Sequence, residues 1–443
     1  MKIVQESEQR MRNSQNYGKY IFIMLAANSF FVYFHRSAVA VITQDLIREF
    51  STSAVQIGFL GSMFFYAYAV MQLPAGALAD AFGSKKTISL FTGITSLGAL
   101  LFGLAPSLFW ASFARFLIGV GCSVVFICAI KIFAVWFRSD QISSYVGLFM
   151  LAGNLGAISS TVPLAVLTLE LGWRSTFGVL AGVSCLIALL SWVVVRDQPK
   201  APLSEEALQE SKPTPKERIS FEEAKKVLFN KQLLSVAAVL AVYFGTLLAF
   251  SGLWAVPYLM HTYQLTKAEA SYMVSAIPIG ISIGAPLFGI LSDKVVRGRK
   301  KVLMLGTFGA ILAWIPLAFR TADLPRSILI GIFFVLGLCY GIAPIPPAMC
   351  KEIVEKEGSS FVGLAIGYMN MFAFLSVTVY QTLIGYILDR ISSVGLEGVF
   401  SATAFSWAFR FCLGSLILVS LLFFFIKETF PPTQGADHSQ KET

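Results

Sequence analysis

The sequence predicts an all-α membrane protein with 12 transmembrane helices arranged as two pseudo-symmetric six-helix bundles. Of its 443 residues, 56% are hydrophobic and 13% are charged, a composition that excludes an ordinary soluble domain. The hydrophobic residues form repeated runs of roughly 20 or more, long enough to cross a hydrocarbon core of about 30 Å as helices. A short polar signature between two such runs occurs twice, at residues 76–86 and 289–301, which indicates two related halves.

The hydrophobic runs lie on either side of one long polar segment, six before it and six after it. The predicted domains are a tail over residues 1–19, a first bundle over 20–195, a linker over 196–231, a second bundle over 232–426 and a tail over 427–443. The individual spans are expected near residues 20–43, 55–79, 87–106, 109–136, 144–169, 176–195, 232–260, 268–296, 301–319, 325–350, 358–389 and 400–426.

The distribution of Lys and Arg predicts which side of the membrane each loop occupies. These residues are concentrated in the segments that face the cytoplasm if both termini lie inside, as the positive-inside rule requires. No small-residue cleavage site follows the first hydrophobic run, so we expect that run to be retained as a span. Short loops and tails favour a multi-pass protein of a bacterial inner membrane with both termini in the cytoplasm.

The repeated loop signature is the predicted gate. In the first copy, Gly83 suits a sharp turn that other residues resist, and Lys85 marks the loop as cytoplasmic. Asp80 ends its helix, where it can cap or pair with a neighbouring helix terminus. The second copy repeats the acid and the basic residues after a longer turn. The predicted gating residues are Gly76, Asp80, Gly83, Lys85, Asp293 and Arg299.

Motifs in the first half carry a family resemblance. Residues 76–86 are similar to the signature between helices 2 and 3 of the major facilitator superfamily, and Arg115-x-x-x-Gly119-x-Gly121 resembles its helix-4 motif. The turn at residues 172–174 resembles that superfamily's entry to helix 6. The resemblance covers essentially the whole chain. It implies a secondary active transporter whose two bundles rock about a central site, the mechanism called alternating access.

Basic side chains inside the spans are the strongest functional signal. An ionisable group within the membrane is costly unless it faces a polar cavity, and the spans hold basic residues without an acid at mid-span. Arg36 lies about 24 Å along the first span and Arg115 about 9 Å into the fourth from its outer end, from the rise per helical residue. Two guanidinium groups at comparable heights can clamp a carboxylate, sulfonate or phosphate. Pairing with backbone carbonyls is the structural alternative for Arg115.

Three further ionisable residues are weaker candidates for the site. His35 adjoins Arg36, and because an imidazole titrates near neutral pH it is the candidate proton carrier. A histidine hydrogen-bonded between helices is the alternative. Lys131 lies near the cytoplasmic end of the fourth span and can snorkel to the interface, while Arg410 lies near the outer start of the twelfth.

A narrower resemblance concerns the substrate. Residues 33–36, Tyr-Phe-His-Arg, resemble the first-helix motif of the anion:cation symporter family, whose members commonly carry Tyr-x-Asp-Arg there. The resemblance implies that Arg36 and Arg115 hold a substrate carboxylate. His35 stands where that family has an aspartate, and Cys122 stands where it has a glutamate; those acids are associated with proton coupling. Anion recognition therefore carries over better than the coupling mechanism.

Polar and aromatic residues within the spans complete the predicted substrate site. Aromatic rings near span ends are usually interface anchors, and small residues mainly let helices approach closely, so packing is the alternative for several of them. The predicted substrate-binding residues are Arg36, Arg115, Tyr33, Tyr66, Asn154, Trp254, Tyr258 and Asn370.

The sequence predicts a monomeric transporter of a small organic anion or zwitterion of the carboxylate class, driven by proton symport. No phosphate-binding loop, metal cluster or nucleophile triad is recognisable, so we expect neither an enzyme nor a metal or cofactor site. The net charge of +9 reflects topology rather than nucleic-acid binding. The alternatives are an organophosphate/phosphate exchanger, a multidrug efflux carrier and a transporter-like sensor without flux.

Overall fold

The computed structural model describes residues 2–198, 229–356, 362–392 and 400–430. Helices account for most of these residues, and no strand occurs among them. Most of the predicted linker and most of the C-terminal tail lie outside the described ranges. The helices are α1 (Lys2–Ser37), α2 (Val39–Phe50), α3 (Ala54–Met71), α4 (Pro74–Phe82), α5 (Ser84–Gly103), α6 (Leu108–Cys122), α7 (Val125–Trp136), α8 (Ser139–Ser159), α9 (Val162–Val194), α10 (Lys231–Ala249), α11 (Ala255–Thr262), α12 (Lys267–Val274), α13 (Ala276–Ile290), α14 (Arg299–Phe319), α15 (Arg326–Tyr340), α16 (Ile345–Lys356), α17 (Val362–Ile391) and α18 (Ala402–Ser420).

Several helices are pieces of longer spans. Eleven stretches of the described chain are long and apolar enough to cross a membrane, and a twelfth is formed if α1 and α2, bent by 41° to one another, count as one span. The bend falls between Ser37 and Val39. This count agrees with the predicted fold class of twelve membrane helices.

A glycine turn separates the predicted fifth and sixth spans. Although α9 runs without interruption from Val162 to Val194, Gly172 within it has a φ of 75°, a left-handed conformation that glycine adopts without strain. The two spans therefore meet at this residue, as the turn motif at residues 172–174 predicts. The indole of Trp173 and the guanidinium of Arg174 both bind the carboxylate of Glu49 on α2, which fixes the turn.

Helices α3 and α17 join the two halves of the molecule. A Cβ atom on Gly58 would lie 2.5 Å from the carbonyl oxygen of Gln381, and one on Gly385 would lie 2.4 Å from that of Ala54. Only glycine permits such an approach of two backbones, because any side chain would displace the facing helix. The two halves therefore share a tightly packed seam along these helices.

Three polar contacts join the halves at the end of the seam that carries Asp389, which we call the Asp389 end. The carboxylate of Asp389 on α17 accepts the backbone N–H groups of Ala54 and Val55 at 2.9 Å each. Lys267 pairs with Asp45 at 2.5 Å, and Gln44 lies 2.5 Å from His261. We call the opposite end, where α4 is followed by α5, the Asp80 end. The Asp389 end is closed in this conformation.

Candidate functional site

Arg36 lies in the last turn of α1, directly before the bend. Its guanidinium stacks on the ring of Tyr33, one turn earlier, at 4.1 Å from the ring centroid. The Nε atom of Arg36 is buried and has no hydrogen-bond partner among the described residues. The side chain as a whole is half-buried. The structure thus presents a positive group with an unused donor, held in place by an aromatic face.

Arg115 on α6 is held against the same turn of α1. Its Nη1 atom donates to the carbonyl oxygen of His35 at 2.8 Å, and its guanidinium lies 5.0 Å from the ring centroid of Phe64 on α3. Carbonyls in the last turn of a helix lack helical partners, so this bond stabilises α1 where it bends. Only 1% of Arg115 is exposed, and its Nε atom has no partner among the described residues. The predicted pairing of Arg115 with a backbone carbonyl is therefore present, and its Nε donor remains without a described partner.

The two arginines belong to one cluster, which we call the arginine cluster: Arg36, Arg115, Tyr33, Tyr68 and Cys122. Both guanidinium groups lie within electrostatic range of the Cys122 thiol, and Arg36 and Tyr33 both lie within range of the Tyr68 hydroxyl. The ring of Tyr68 packs at 4.5 Å on that of Phe374 in the second half. The cluster thus borders the seam between the halves, where a carrier of this architecture holds its substrate.

Close helix packing positions the ring that supports Arg36. A Cβ atom on Gly153 of α8 would lie 2.9 Å from the ring of Tyr33, and one on Gly156 would lie 2.0 Å from the carbonyl oxygen of Phe30. Small residues on α8 therefore set how closely α1 approaches it. Gly153 and Gly156 thus act on the site through packing.

Replacing Gly153 by alanine is expected to raise the half-saturating substrate concentration for uptake about fivefold. The added methyl group displaces the Tyr33 ring and weakens its stacking with Arg36, an interaction worth about 1 kcal/mol. Uptake into proteoliposomes measures the change. Gly147→Ala on the same helix is the matched control, because nothing lies within 4 Å of a Cβ atom there. Equal effects of the two substitutions would contradict the prediction.

The imidazole of His35 contacts α9. It is fully buried, and its Nε2 atom lies 3.3 Å from the hydroxyl oxygen of Ser184 on α9. Its Nδ1 atom has no partner among the described residues. The interhelical contact expected as the alternative is therefore present. The proton-carrier role of His35 stays a prediction.

The remaining predicted substrate contacts fall into two groups. Tyr66, Asn154 and Asn370 are half-buried. Trp254 and Tyr258 have no exposed surface, and each donates its polar hydrogen to a carbonyl of the second half: the indole to Gln381 at 3.2 Å and the hydroxyl to Thr321 at 2.6 Å. In this conformation neither aromatic residue offers a free donor to a ligand.

The predicted gating residues of the first loop are held within the first half. Lys131 on α7 pairs with Asp80 at 2.7 Å and donates to the carbonyl oxygen of Gly76 at 3.0 Å. Gly83 turns the chain with a φ of 82°. The backbone N–H of Lys85 donates to Asp197 at 2.8 Å. The sequence predicts that Asp80 caps or pairs with a neighbouring helix terminus; its partner is instead the Lys131 side chain within α7, and Asp197 caps the start of α5.

The second loop repeats this arrangement with different partners. Arg299 forms ion pairs with Asp293 and, at 3.1 Å, with Glu352 on α16. The carboxylate of Glu428, just past the last helix, accepts the backbone N–H groups of Arg299 at 2.7 Å and of Lys300 at 3.2 Å. Asp197 and Glu428 thus hold equivalent positions in the two halves. The sequence gives no local signal for either, because each is more than 100 residues from the loop that it caps.

Replacing Asp80 by asparagine is expected to slow uptake about fivefold while the melting temperature hardly changes. The Asp80 carboxylate is 54% exposed, and exposed ion pairs contribute at most about 1 kcal/mol to stability. A gating role acts on the exchange between conformations, so it affects the rate rather than the fold. Parallel measurements of uptake and thermal unfolding separate the two, and a fall in both by the same free energy would contradict the prediction.

The fold and the site together define a class of protein. Twelve membrane helices in two related halves, with paired cationic side chains at the seam between them, are the architecture of a membrane transporter rather than an enzyme. Residues 25–256 and 244–442 match the profile of the Major Facilitator Superfamily. The chain belongs to this family.

The chain is similar over most of its length to named transporters. The chain is 26% identical over 408 residues to the probable galactarate/D-glucarate transporter GarP of Escherichia coli, covering 86% of this chain and 89% of the relative. It is 24% identical over 409 residues to the hexuronate transporter of Bacillus subtilis, covering 88% and 90%. These names agree with the resemblance to the anion:cation symporter family.

A solved structure shares the fold. The inward-facing, unoccupied bacterial homologue of the human lysosomal transporter Spinster superposes with a TM-score of 0.70 at 20% identity, covering 92% of this chain and 96% of that one. The predicted architecture of two six-helix bundles is confirmed.

Proposed function

We propose that the protein carries a small organic acid anion across a bacterial inner membrane by alternating access, as a monomer with both termini in the cytoplasm. The observation that carries the proposal is the arginine cluster, in which Arg36 and Arg115 each retain a buried Nε donor without a partner. Charge-assisted bonds from guanidinium groups to carboxylates are among the strongest that proteins make. The names of the relatives, which transport sugar acids, support the carboxylate class.

The conformation supports the proposed mechanism. Contacts between the halves close the Asp389 end, while the loop acids at the Asp80 end pair within their own halves. In the proposal, the bundles rock so that the Asp389 end opens, and the predicted gating residues then hold the Asp80 end together. The substrate site at the seam is reached from one side at a time.

Proton symport is the proposed energy source, with His35 as its carrier. Its support is the position of the imidazole, next to Arg36 in sequence and with one ring nitrogen unpartnered. An imposed pH gradient across proteoliposomes should then drive accumulation of the anion, and His35→Gln should abolish accumulation while leaving exchange intact. Accumulation that requires an internal anion instead would favour an exchanger.

Uptake of labelled D-glucarate and D-glucuronate into proteoliposomes tests the function. Saturable uptake of either substrate, inhibited by the other unlabelled acid, is expected. Counterflow driven by internal phosphate and sugar phosphates would support the exchanger in its place. Binding without any flux would support a sensor. Drug efflux has less support, because a cationic drug requires a mid-membrane acid and the spans around the arginine cluster have none.

A further inference from the structure

The arginine cluster has no negative charge of its own. The sequence contains no Asp or Glu from residue 50 to 79 or from 81 to 139, so α3, α5, α6 and α7 contribute none to the described site. Asp45, the acid nearest to Arg36 along the chain, already binds Lys267 at 2.5 Å, and Asp80, which ends α4, binds Lys131 at 2.7 Å. Cys122, two helical turns after Arg115 on α6, is not an acidic residue.

Two guanidinium groups without a negative partner repel each other, and burying either of them alone is costly. An anion with a single negative charge can neutralise one of them and leaves the other unpaired. An anion with two separated negative groups neutralises both. The difference between the two ligands is therefore larger here than at a site whose own carboxylates already balance the arginines.

We infer that this site selects small dianions over monoanions of the same size. The inference rests on the proposed function and specifies its substrate class: an acid with an anionic group at each end, such as an aldarate, is preferred to the matching aldonate, whose second end is an alcohol. The two arginines act as separate receptors, one for each anionic group, rather than as a joint clamp on a single carboxylate.

Cys122 provides the sharpest test of this inference. It follows Arg115 by seven residues on α6, two helical turns, and so lies on the same face of that helix. The charges of Arg36 and Arg115 both reach its thiol. A carboxylate at this position would lower the net charge of the arginine cluster by one, and the preference for a second negative group on the ligand should fall accordingly.

The experiment is a thermal-shift titration of the purified full-length protein with D-glucarate and D-gluconate, which differ in one terminal group. A ligand that binds the folded form raises the melting temperature as it saturates the site. We expect the half-saturating concentration of glucarate for the wild-type protein to be about tenfold or more below that of gluconate. This difference in affinity corresponds to one well-made charge pair. In Cys122→Glu the half-saturating concentrations of the two ligands should differ by less than about threefold.

Variants of Arg36 provide the control. Arg36→Gln removes one charge and should also reduce the preference, whereas Arg36→Lys retains the charge and should retain it. This pair keeps the inference testable even if Cys122→Glu does not fold. Equal binding of the two acids to the wild-type protein, or an equal loss of preference in the lysine and glutamine variants, would overturn the inference and leave the proposed function standing. If neither these acids nor any other organic anion is bound or transported, the proposed function itself fails.

Discussion

Replacing Arg36 by alanine is expected to reduce the initial rate of anion uptake by about 100-fold at low substrate concentration. A hydrogen bond to a charged group contributes up to about 3 kcal/mol, which corresponds to that factor when it is lost. The Nε atom of Arg36 is buried without a partner, so its pairing energy is available to a ligand rather than used within the fold. Uptake into proteoliposomes with matched protein content measures the loss.

Arg36→Lys should recover part of the rate. Lysine retains the charge but lacks the planar fork that holds a carboxylate by two bonds. Arg410→Ala is the matched control, because Arg410 also lies in a membrane helix but donates to the carbonyl oxygen of Ala318 at 3.3 Å and stacks on Trp407. Unchanged uptake by Arg36→Ala would remove this residue from the mechanism.

Replacing Asp389 by leucine is expected to shift the conformational equilibrium about 30-fold towards opening of the Asp389 end. The Asp389 carboxylate caps the first turn of α3 across the seam, and loss of a helix cap with charged hydrogen bonds costs about 2 kcal/mol. The readout is the rate at which a membrane-impermeant maleimide alkylates a cysteine introduced at Gln381, in a background without the natural cysteines. Gln381 is 1% exposed and lies beneath the closed end.

Two further variants test whether the loss of the Asp389 cap causes the faster labelling. Asp389→Asn retains a side-chain oxygen that can cap the helix, so its labelling rate should lie between those of the wild type and the leucine variant. Asp323→Leu replaces an acid with no described ion pair and should label like the wild type. If Asp389→Leu labels no faster than Asp323→Leu, the cap does not hold the Asp389 end closed.

The fold was largely predictable because membrane helices obey local rules. Each span has to satisfy its own backbone hydrogen bonds within the lipid. Hydrophobic runs alone therefore give the number of spans and their approximate limits. The turn at Gly172 was likewise visible, since a left-handed residue between two apolar runs favours glycine. The 41° bend after Arg36 was not visible, because no proline or glycine stands at that point in the sequence.

The site was predictable only in part. Arg36 and Arg115 stand out because charge is rare in these spans, and their roles as substrate ligands stay predictions. Trp254 and Tyr258 drew attention as polar aromatics, yet both are fully buried in packing. Sequence analysis missed Asp389 and Glu352 as partners, because an acid at a helix end is unremarkable until the fold brings a distant backbone or arginine beside it.

The equivalent caps formed by Asp197 and Glu428 bear on how the protein is made. Each acid follows the sixth span of its own half and binds the start of the third, so a half-molecule emerging from the ribosome cannot complete this contact until its final span has been synthesised. The first half has everything it needs once Asp197 is translated. In the second half, α17 is translated before Glu428, so the seam between α3 and α17 can form before the Glu428 cap does.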